Sequence, residues 1–181
     1  MKFVETKLKG CYVLEPEIFK DNRGYFFESF NQAKFETAIG KPINFVQDNQ
    51  SFSSKGVMRG LHFQKGEYAQ AKLVRVLEGE VLDVVVDVRT ESPTFGKHFS
   101  ILLSSENKKQ LFIPRGFAHG FVVLSNQAHF FYKCDNFYNK DSESGLIYND
   151  KDLGINWIYQ ERELKISEKD MELPRFKDLK L

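Results

Sequence analysis

The hydrophobic and polar positions in the middle of this chain follow a strand-like pattern. Residues 72–89, KLVRVLEGEVLDVVVDVR, hold two β-branched runs on either side of Glu78-Gly79-Glu80, which reads as a hairpin. Residues 98–104 (HFSILLS), 110–114 (QLFIP), 120–125 (GFVVLS) and 129–138 (HFFYKCDNFY) follow, separated by Pro, Gly, Asn and Gln. Short strands at roughly 8–12-residue spacing predict an antiparallel sandwich or barrel rather than βαβ units. Helical patterning is confined to short stretches, residues 31–39 (NQAKFETAI) and parts of the last 30 residues. The predicted fold is all-β, a jelly-roll β-barrel with short peripheral helices. No linker, repeat or composition shift divides the chain, so residues 1–181 are read as one domain.

Composition sharpens this picture. Eighteen Phe and seven Tyr favour a β-rich interior, and they also offer flat faces on which a base or sugar could stack. The formal net charge is +1, from 26 basic and 25 acidic residues, and no basic run is present. Nucleic-acid polymers are therefore not expected as partners, whereas a small anion needs only a few local cations. Cys11 and Cys134 lack metal-type spacing and are read as free thiols of a cytoplasmic protein. The first ten residues, MKFVETKLKG, carry no apolar core of a signal peptide, and no apolar run approaches the roughly 20 residues of a membrane span.

Three polar groupings stand out. Gln47-Asp48-Asn49, Arg59, His62 and Gln64 form the densest, with Lys72 at the head of the next strand. Singly, each fits a hydrated loop; together they fit a site. Strand alternation would send Arg59 and His62 to opposite faces, so a bend near Gly60 is needed if both face one cavity. The second grouping is IPRGFAHGFVVLS, where His119 is either a satisfied core histidine or a site residue. The third is Tyr132 and Tyr138, whose even spacing puts both on one face of an uninterrupted strand, as core filling or as a phenol and a stacking ring.

Barrels of this type can hold a metal, which asks for a His-x-His pair with a nearby carboxylate. The position two after His62 is Gln64, and the next acid, Glu67, falls in a polar turn. Neither GxGxxG nor GxxxxGK[ST] occurs, and no nucleophile elbow is present. Proton chemistry by His, Tyr and Lys remains.

At this point eight stretches, in order and in register, resemble the dTDP-4-dehydrorhamnose 3,5-epimerases of the cupin superfamily. They are DNRGYFFESF (21–30), QDNQSFSSKGVMRGLHFQ (47–64), QAKLVRVLEGEVLDVVVDVR (70–89), SPTFG (92–96), IPRGFAHGF (113–121), FFYKCDNFY (130–138), ESGLIYND (143–150) and ISEKD (166–170). The chain departs from the family pattern at Ala71, where Gly is frequent, and at Lys151 and Ile158, where Pro is frequent. These positions bear on turns rather than on chemistry.

The resemblance implies inversion of C3 and C5 in dTDP-4-dehydro-6-deoxy-D-glucose, with no metal and no cofactor. It implies His62 as base, Tyr132 as acid, Lys72 facing the C4 oxygen and Asp170 as the partner of His62. Arg23, Glu28, Gln47, Asn49, Arg59, His119, Glu143 and Lys169 match substrate-holding positions, and Tyr138 matches the ring that stacks on the nucleotide. It also implies a homodimer in which Arg23 and Glu28 serve the neighbouring site. The chemistry is coherent, because a C4 ketone acidifies both C3–H and C5–H, and inversion requires an acid on the face opposite the base. Rival readings are a C3- or C5-only epimerase, an enzyme for another nucleotide-linked ketosugar, a non-catalytic sugar-binding jelly roll, and a metal-dependent cupin.

Overall fold

The computed structural model describes residues 1–180. Thirteen strands and two short α-helices make up its regular structure, joined by irregular and 3₁₀ segments. One sheet holds six strands in the order β1 (Lys2–Glu5), β2 (Tyr12–Glu15), β10 (Gln110–Ile113), β7 (Lys72–Glu78), β12 (Gln127–Cys134) and β5 (Gln47–Ser54). The other holds five, β13 (Glu143–Gly145), β6 (Met58–Gln64), β11 (Phe117–Val123), β8 (Glu80–Asp87) and β9 (His98–Ser104). A separate hairpin pairs β3 (Phe19–Asp21) with β4 (Gly24–Phe26). The pairings within the two large sheets are antiparallel, and neither sheet closes by hydrogen bonds. The all-β architecture matches the sequence reading, as two facing sheets rather than a hydrogen-bonded cylinder.

The hairpin expected around Gly79 does not form. Strand β7 pairs with β10 and β12, while β8 pairs with β11 and β9, so the chain crosses from one sheet to the other at this residue. Gly79 has φ +82°, and a Cβ there would collide with the Gln127 carbonyl, which leaves room for glycine alone. The reason lies in β8 itself. Its inward residues Val81 and Val85 pack between the sheets with Val74, Leu103 and Phe130. Its outward residues Leu82, Val84 and Val86 are covered by Tyr148, Leu153 and Trp157 from the C-terminal segment. A strand buried on both faces has no polar side, which is why VLDVVVDV lacks alternation. Each such side chain contributes roughly 1.5–3 kcal/mol on burial.

Helix α1 (Gln32–Ile39) fulfils the helical reading of 31–39. Asn31 accepts the Lys34 N–H at 3.1 Å as N-cap, and Gly40 ends the helix in the left-handed region at φ +76°. Its Phe35 meets Phe112 edge-on at 5.1 Å, which seats the helix on the outer face of the six-stranded sheet. The last 30 residues, in contrast, hold one α-helical turn, α2 (Glu168–Met171), among loops and 3₁₀ turns. Their order comes from packing on β8 and from bonds such as Trp157 Nε1–H to the Tyr148 carbonyl at 2.8 Å. Cys11 and Cys134 are free and buried, and burial pushes their thiols up to about 12 and about 11.

The Ile158 departure now has a backbone correlate. This β-branched residue sits at φ +72°, a conformation closed to proline and strained for isoleucine. Its side chain is 59% exposed, so truncation removes little packing. Relief of about 1–3 kcal/mol of strain outweighs the roughly 0.5–1 kcal/mol entropic cost of glycine. Ile158→Gly is therefore expected to stabilise the protein by about 1 kcal/mol; thermal unfolding checks it, and a lowered midpoint contradicts it.

Candidate active site

The site depends on how closely β6 and β11 approach. His62 is opposite His119 and Arg59 is opposite Phe121, so three residue steps on β6 span two on β11. That extra residue is a β-bulge, and it turns Arg59 and His62 to the same cavity, supplying the bend that alternation demanded. Gly60 within it has φ +113°. A Cβ on Gly60 would lie 2.6 Å from Gly120 Cα, and one on Gly120 would lie 2.6 Å from the Arg59 carbonyl. Two facing glycines are thus the steric condition for the bulge.

The cavity, about 420 Å³, is bounded by both sheets and by α2. Strand β5 contributes Asn49, β6 Arg59 and His62, β7 Lys72, β11 His119, β12 Tyr132, and α2 Lys169 and Asp170. Phe121 and Phe130, stacked at 4.2 Å between centroids, form an apolar part of its wall. A concavity of about 450 Å³ lies under the β3–β4 hairpin, but it is open and lined by Phe19, Lys20, Asp21, Arg23, Tyr25 and Phe26, without convergent acid–base groups.

Asp170 is 4% exposed and is the best-anchored group of the cavity. Its backbone N–H is bonded to the N-cap Ser167 Oγ at 3.2 Å, Oδ1 lies 2.7 Å from His62 Nε2, and Oδ2 accepts the Gly60 N–H at 3.2 Å. Burial pushes this carboxyl up, but its bonds to His62, Gly60 and Ser167 outweigh that and hold it below the usual carboxylate range. An anionic Asp170 accepts Nε2–H, which leaves Nδ1 of His62 as the nitrogen with a free lone pair.

Burial pushes the Tyr132 phenol up from its ordinary value, so it keeps its proton at neutral pH. Burial also lowers Lys72, while Cys134, Asp83 and Glu143 favour its charged form. Lys72 Nζ lies 5.8 Å from the centroid of the Tyr132 ring. Arg59 is braced by Ser53 Oγ, which accepts its Nε–H at 3.0 Å. His119 is 7% exposed and lies 2.9 Å through Nε2 from Asp83 Oδ2.

The rim is a second network. Glu143 Oε2 accepts from Lys169 Nζ at 2.7 Å and from the Tyr138 hydroxyl at 2.9 Å. Burial raises Glu143, but these two donors prevail and its carboxyl sits below the ordinary value. Gln47 accepts the Tyr138 N–H at 3.2 Å and donates to Asn49 at 3.1 Å. Tyr138 does not share a strand face with Tyr132, because β12 ends at Cys134 and a loop carries Tyr138 to the rim. Asp48 points away and pairs with Lys133 at 3.0 Å.

Two expected site residues stand apart. Arg23 is on the β3–β4 hairpin, ion-paired with Asp21 at 2.6 Å, and Glu28 is bound to Lys34 at 2.8 Å. Neither lines the cavity of its own chain. Gln64 is structural here. It donates to the Tyr68 and Phe137 carbonyls at 3.0 and 3.2 Å and accepts the Asn139 N–H at 2.7 Å, tying the β6–β7 connection to the loop after β12. Among the described residues, no three His, Cys, Asp or Glu side chains converge as a metal ligand set. The sequence reading passed over Asp83, whose signal was a carboxylate flanked on both sides by apolar residues in the run VLDVVV.

Known proteins similar to this chain share its length and fold. A dTDP-4-dehydrorhamnose 3,5-epimerase from Escherichia coli K12 is 53% identical over 96% of this chain and 93% of its own length. The crystal structure of dTDP-4-dehydrorhamnose 3,5-epimerase from Elizabethkingia anophelis is 59% identical with a TM-score of 0.95, covering 98% of this chain and 97% of that one. A dTDP-6-deoxy-D-glucose-3,5-epimerase from Legionella pneumophila, solved with dTDP-4-keto-L-rhamnose, is 45% identical with a TM-score of 0.94, covering 99% and 94%. The sequence profile described as dTDP-4-dehydrorhamnose 3,5-epimerase matches residues 5–178, and the chain belongs to that family.

Proposed function

We propose that this chain is an isomerase that inverts C3 and C5 of dTDP-4-dehydro-6-deoxy-D-glucose to give dTDP-4-dehydro-L-rhamnose. The observation that carries the reading is the 2.7 Å His62–Asp170 bond in the wall of a cavity that also holds Tyr132 and Lys72. Family membership supplies the substrate class.

The C4 ketone is the electron sink. Nδ1 of His62 takes the proton from C3 or C5, and the C–H electron pair moves onto the C4 oxygen as an enolate. A positioned base of this kind supplies roughly 10²–10⁴-fold in rate. Lys72 donates to the enolate oxygen, a contribution of about 3–4 kcal/mol for one such donor. Tyr132 then protonates the carbon from the other face, which inverts it, and both side chains exchange protons with solvent before the next carbon is processed. Asp170 holds the tautomer of His62 and stabilises the imidazolium. Arg59 and Lys169 answer the charge of the diphosphate, and Tyr138, 54% exposed at the rim, offers its ring to the nucleotide base.

The chain works as a homodimer of one-domain subunits in the cytoplasm. Two features support the dimer. The β3–β4 hairpin exposes Phe19, Tyr25 and Phe26 at 56%, 58% and 69%. It also carries Arg23, an anion-binding side chain that does not reach its own cavity. Among the described residues no helix is long and apolar enough to cross a membrane.

His62→Asn should abolish incorporation of solvent deuterium at both C3 and C5; NMR of the substrate in D₂O reads this, and exchange persisting at either carbon removes His62 from the base role. Tyr132→Phe should retain exchange while inversion falls by about 10²-fold or more; equal loss of both would leave Tyr132 a positioning group only. The same spectra distinguish a C3- or C5-only epimerase. Sedimentation should show a dimer, and mixing Arg23→Ala with His62→Asn subunits should regain activity that neither parent has. A monomer, or a mixture without recovery, would refute the shared site.

A further inference from the structure

Asp83 has no place in the proton transfers above, yet it is fully buried behind His119, a residue that lines the same site. It lies on the face of β8 that also carries Val81 and Val85, between the two sheets. One of its oxygens, Oδ2, meets His119 Nε2 at 2.9 Å. The other, Oδ1, is buried and has no hydrogen-bond partner among the described residues. A buried carboxylate oxygen left bare costs free energy, so it calls for a compensating charge. Lys72 lines the adjoining cavity; burial pushes the Asp83 carboxyl up and the Lys72 ammonium down, while each favours the charged form of the other.

Charge balance then selects the protonation pattern. One buried carboxylate and one ammonium cancel; an imidazolium added to them would leave an excess charge in a poorly solvated floor. Because Nε2 faces the Asp83 carboxyl at 2.9 Å, a neutral His119 gives its Nε2–H to Asp83, and its Nδ1 is then an acceptor only. Resting on the epimerase reading, we infer that Asp83 is a positioning residue for the reaction: it holds His119 by Nε2–H so that Nδ1 accepts a hydroxyl of the bound sugar, and it balances Lys72 where the enolate oxygen forms. The site thus contains two histidine–carboxylate pairs with different tasks. In one, Asp170 prepares a nitrogen that takes a proton from carbon. In the other, Asp83 prepares a nitrogen that holds the sugar in register with it.

Several groups act on Lys72. The Cys134 thiol and the Tyr132 phenol come from β12, Glu143 from β13 and Asp83 from β8, and Arg59, His62, His119, Lys169 and Asp170 share the cavity. Removing the Asp83 charge subtracts one of the contributions that keep the ammonium form. The alkaline limb of kcat, set by loss of the Lys72 proton, should then move to lower pH.

The test uses the full chain. In protein labelled with ¹⁵N-histidine, long-range ¹H–¹⁵N correlation should show His119 as the neutral Nε2–H tautomer at pH 7, and an Nδ1–H tautomer or an imidazolium overturns the inference. In Asp83→Asn, kcat should fall by about 10–100-fold, as for other partners that orient a site histidine. KM should stay within about threefold, and the alkaline limb should lie at lower pH. Wild-type kcat and an unmoved limb in that variant also overturn it. Should the variant not fold, the tautomer of the unsubstituted protein decides. Absence of deuterium exchange in the unsubstituted protein would sink the epimerase reading instead, so the two failures are distinguishable.

Discussion

The contact between Gly60 and Gly120 is the constraint on which the site depends. Only two residues without a Cβ let β6 and β11 run this close through a bulge. The bulge puts Arg59 and His62 on one wall, and it also turns the Gly60 N–H toward Asp170. The carboxylate thereby binds backbone and imidazole together, and the position of the base is coupled to the backbone that created it. A side chain at either glycine would disturb all three at once.

Electrostatics follow from that placement. The cavity mixes carboxylates, cations and a phenol against an apolar wall, and each group is poised by a different balance. Asp170 is kept anionic by its three donors despite burial, Tyr132 is kept protonated by burial, and Lys72 is lowered by burial while Cys134, Asp83 and Glu143 favour its charged form. These are the states that proton abstraction, proton delivery and enolate binding need at one pH. Ordinary surface residues of the same types would be in similar states, but would be exposed to water and free to rotate. What the fold adds is fixed geometry in a setting where charge interactions are weakly screened.

The double burial of β8 links the core to the chemistry. Its outer valines anchor the C-terminal segment, and that segment returns α2, and so Asp170, to the mouth of the site. Its inner face carries Asp83 beneath His119. Stability and positioning thus share one strand, which explains why a charge is tolerated in the middle of a buried run.

Local signals were legible in the chain where the forces are local. Helix α1 followed from its own spacing, and strands β9 to β12 from β-branched and aromatic runs between turn residues. The family motifs named His62, Lys72, Tyr132 and Asp170, and all four meet in one cavity. Long-range decisions were not legible. Adjacency of residues 72–78 and 80–87 suggested a hairpin, but which sheet a strand joins is set by what covers its faces, and here both faces of β8 were already taken. The polar residues of β5 and β6 fitted a hydrated loop when taken singly, because these strands carry the site, and only the stretch from Arg59 to His62 read as extended. Strand alternation could say that a bend was needed at Gly60, but not that an opposing glycine would permit it. The bond between His62 and Asp170 spans 108 residues, and Asp83 and His119 are 36 apart. Residue types and motifs state which chemistry is available; only the packing of two sheets, which brings distant carboxylates within hydrogen-bond reach and dries their surroundings, decides which nitrogen acts and which is held.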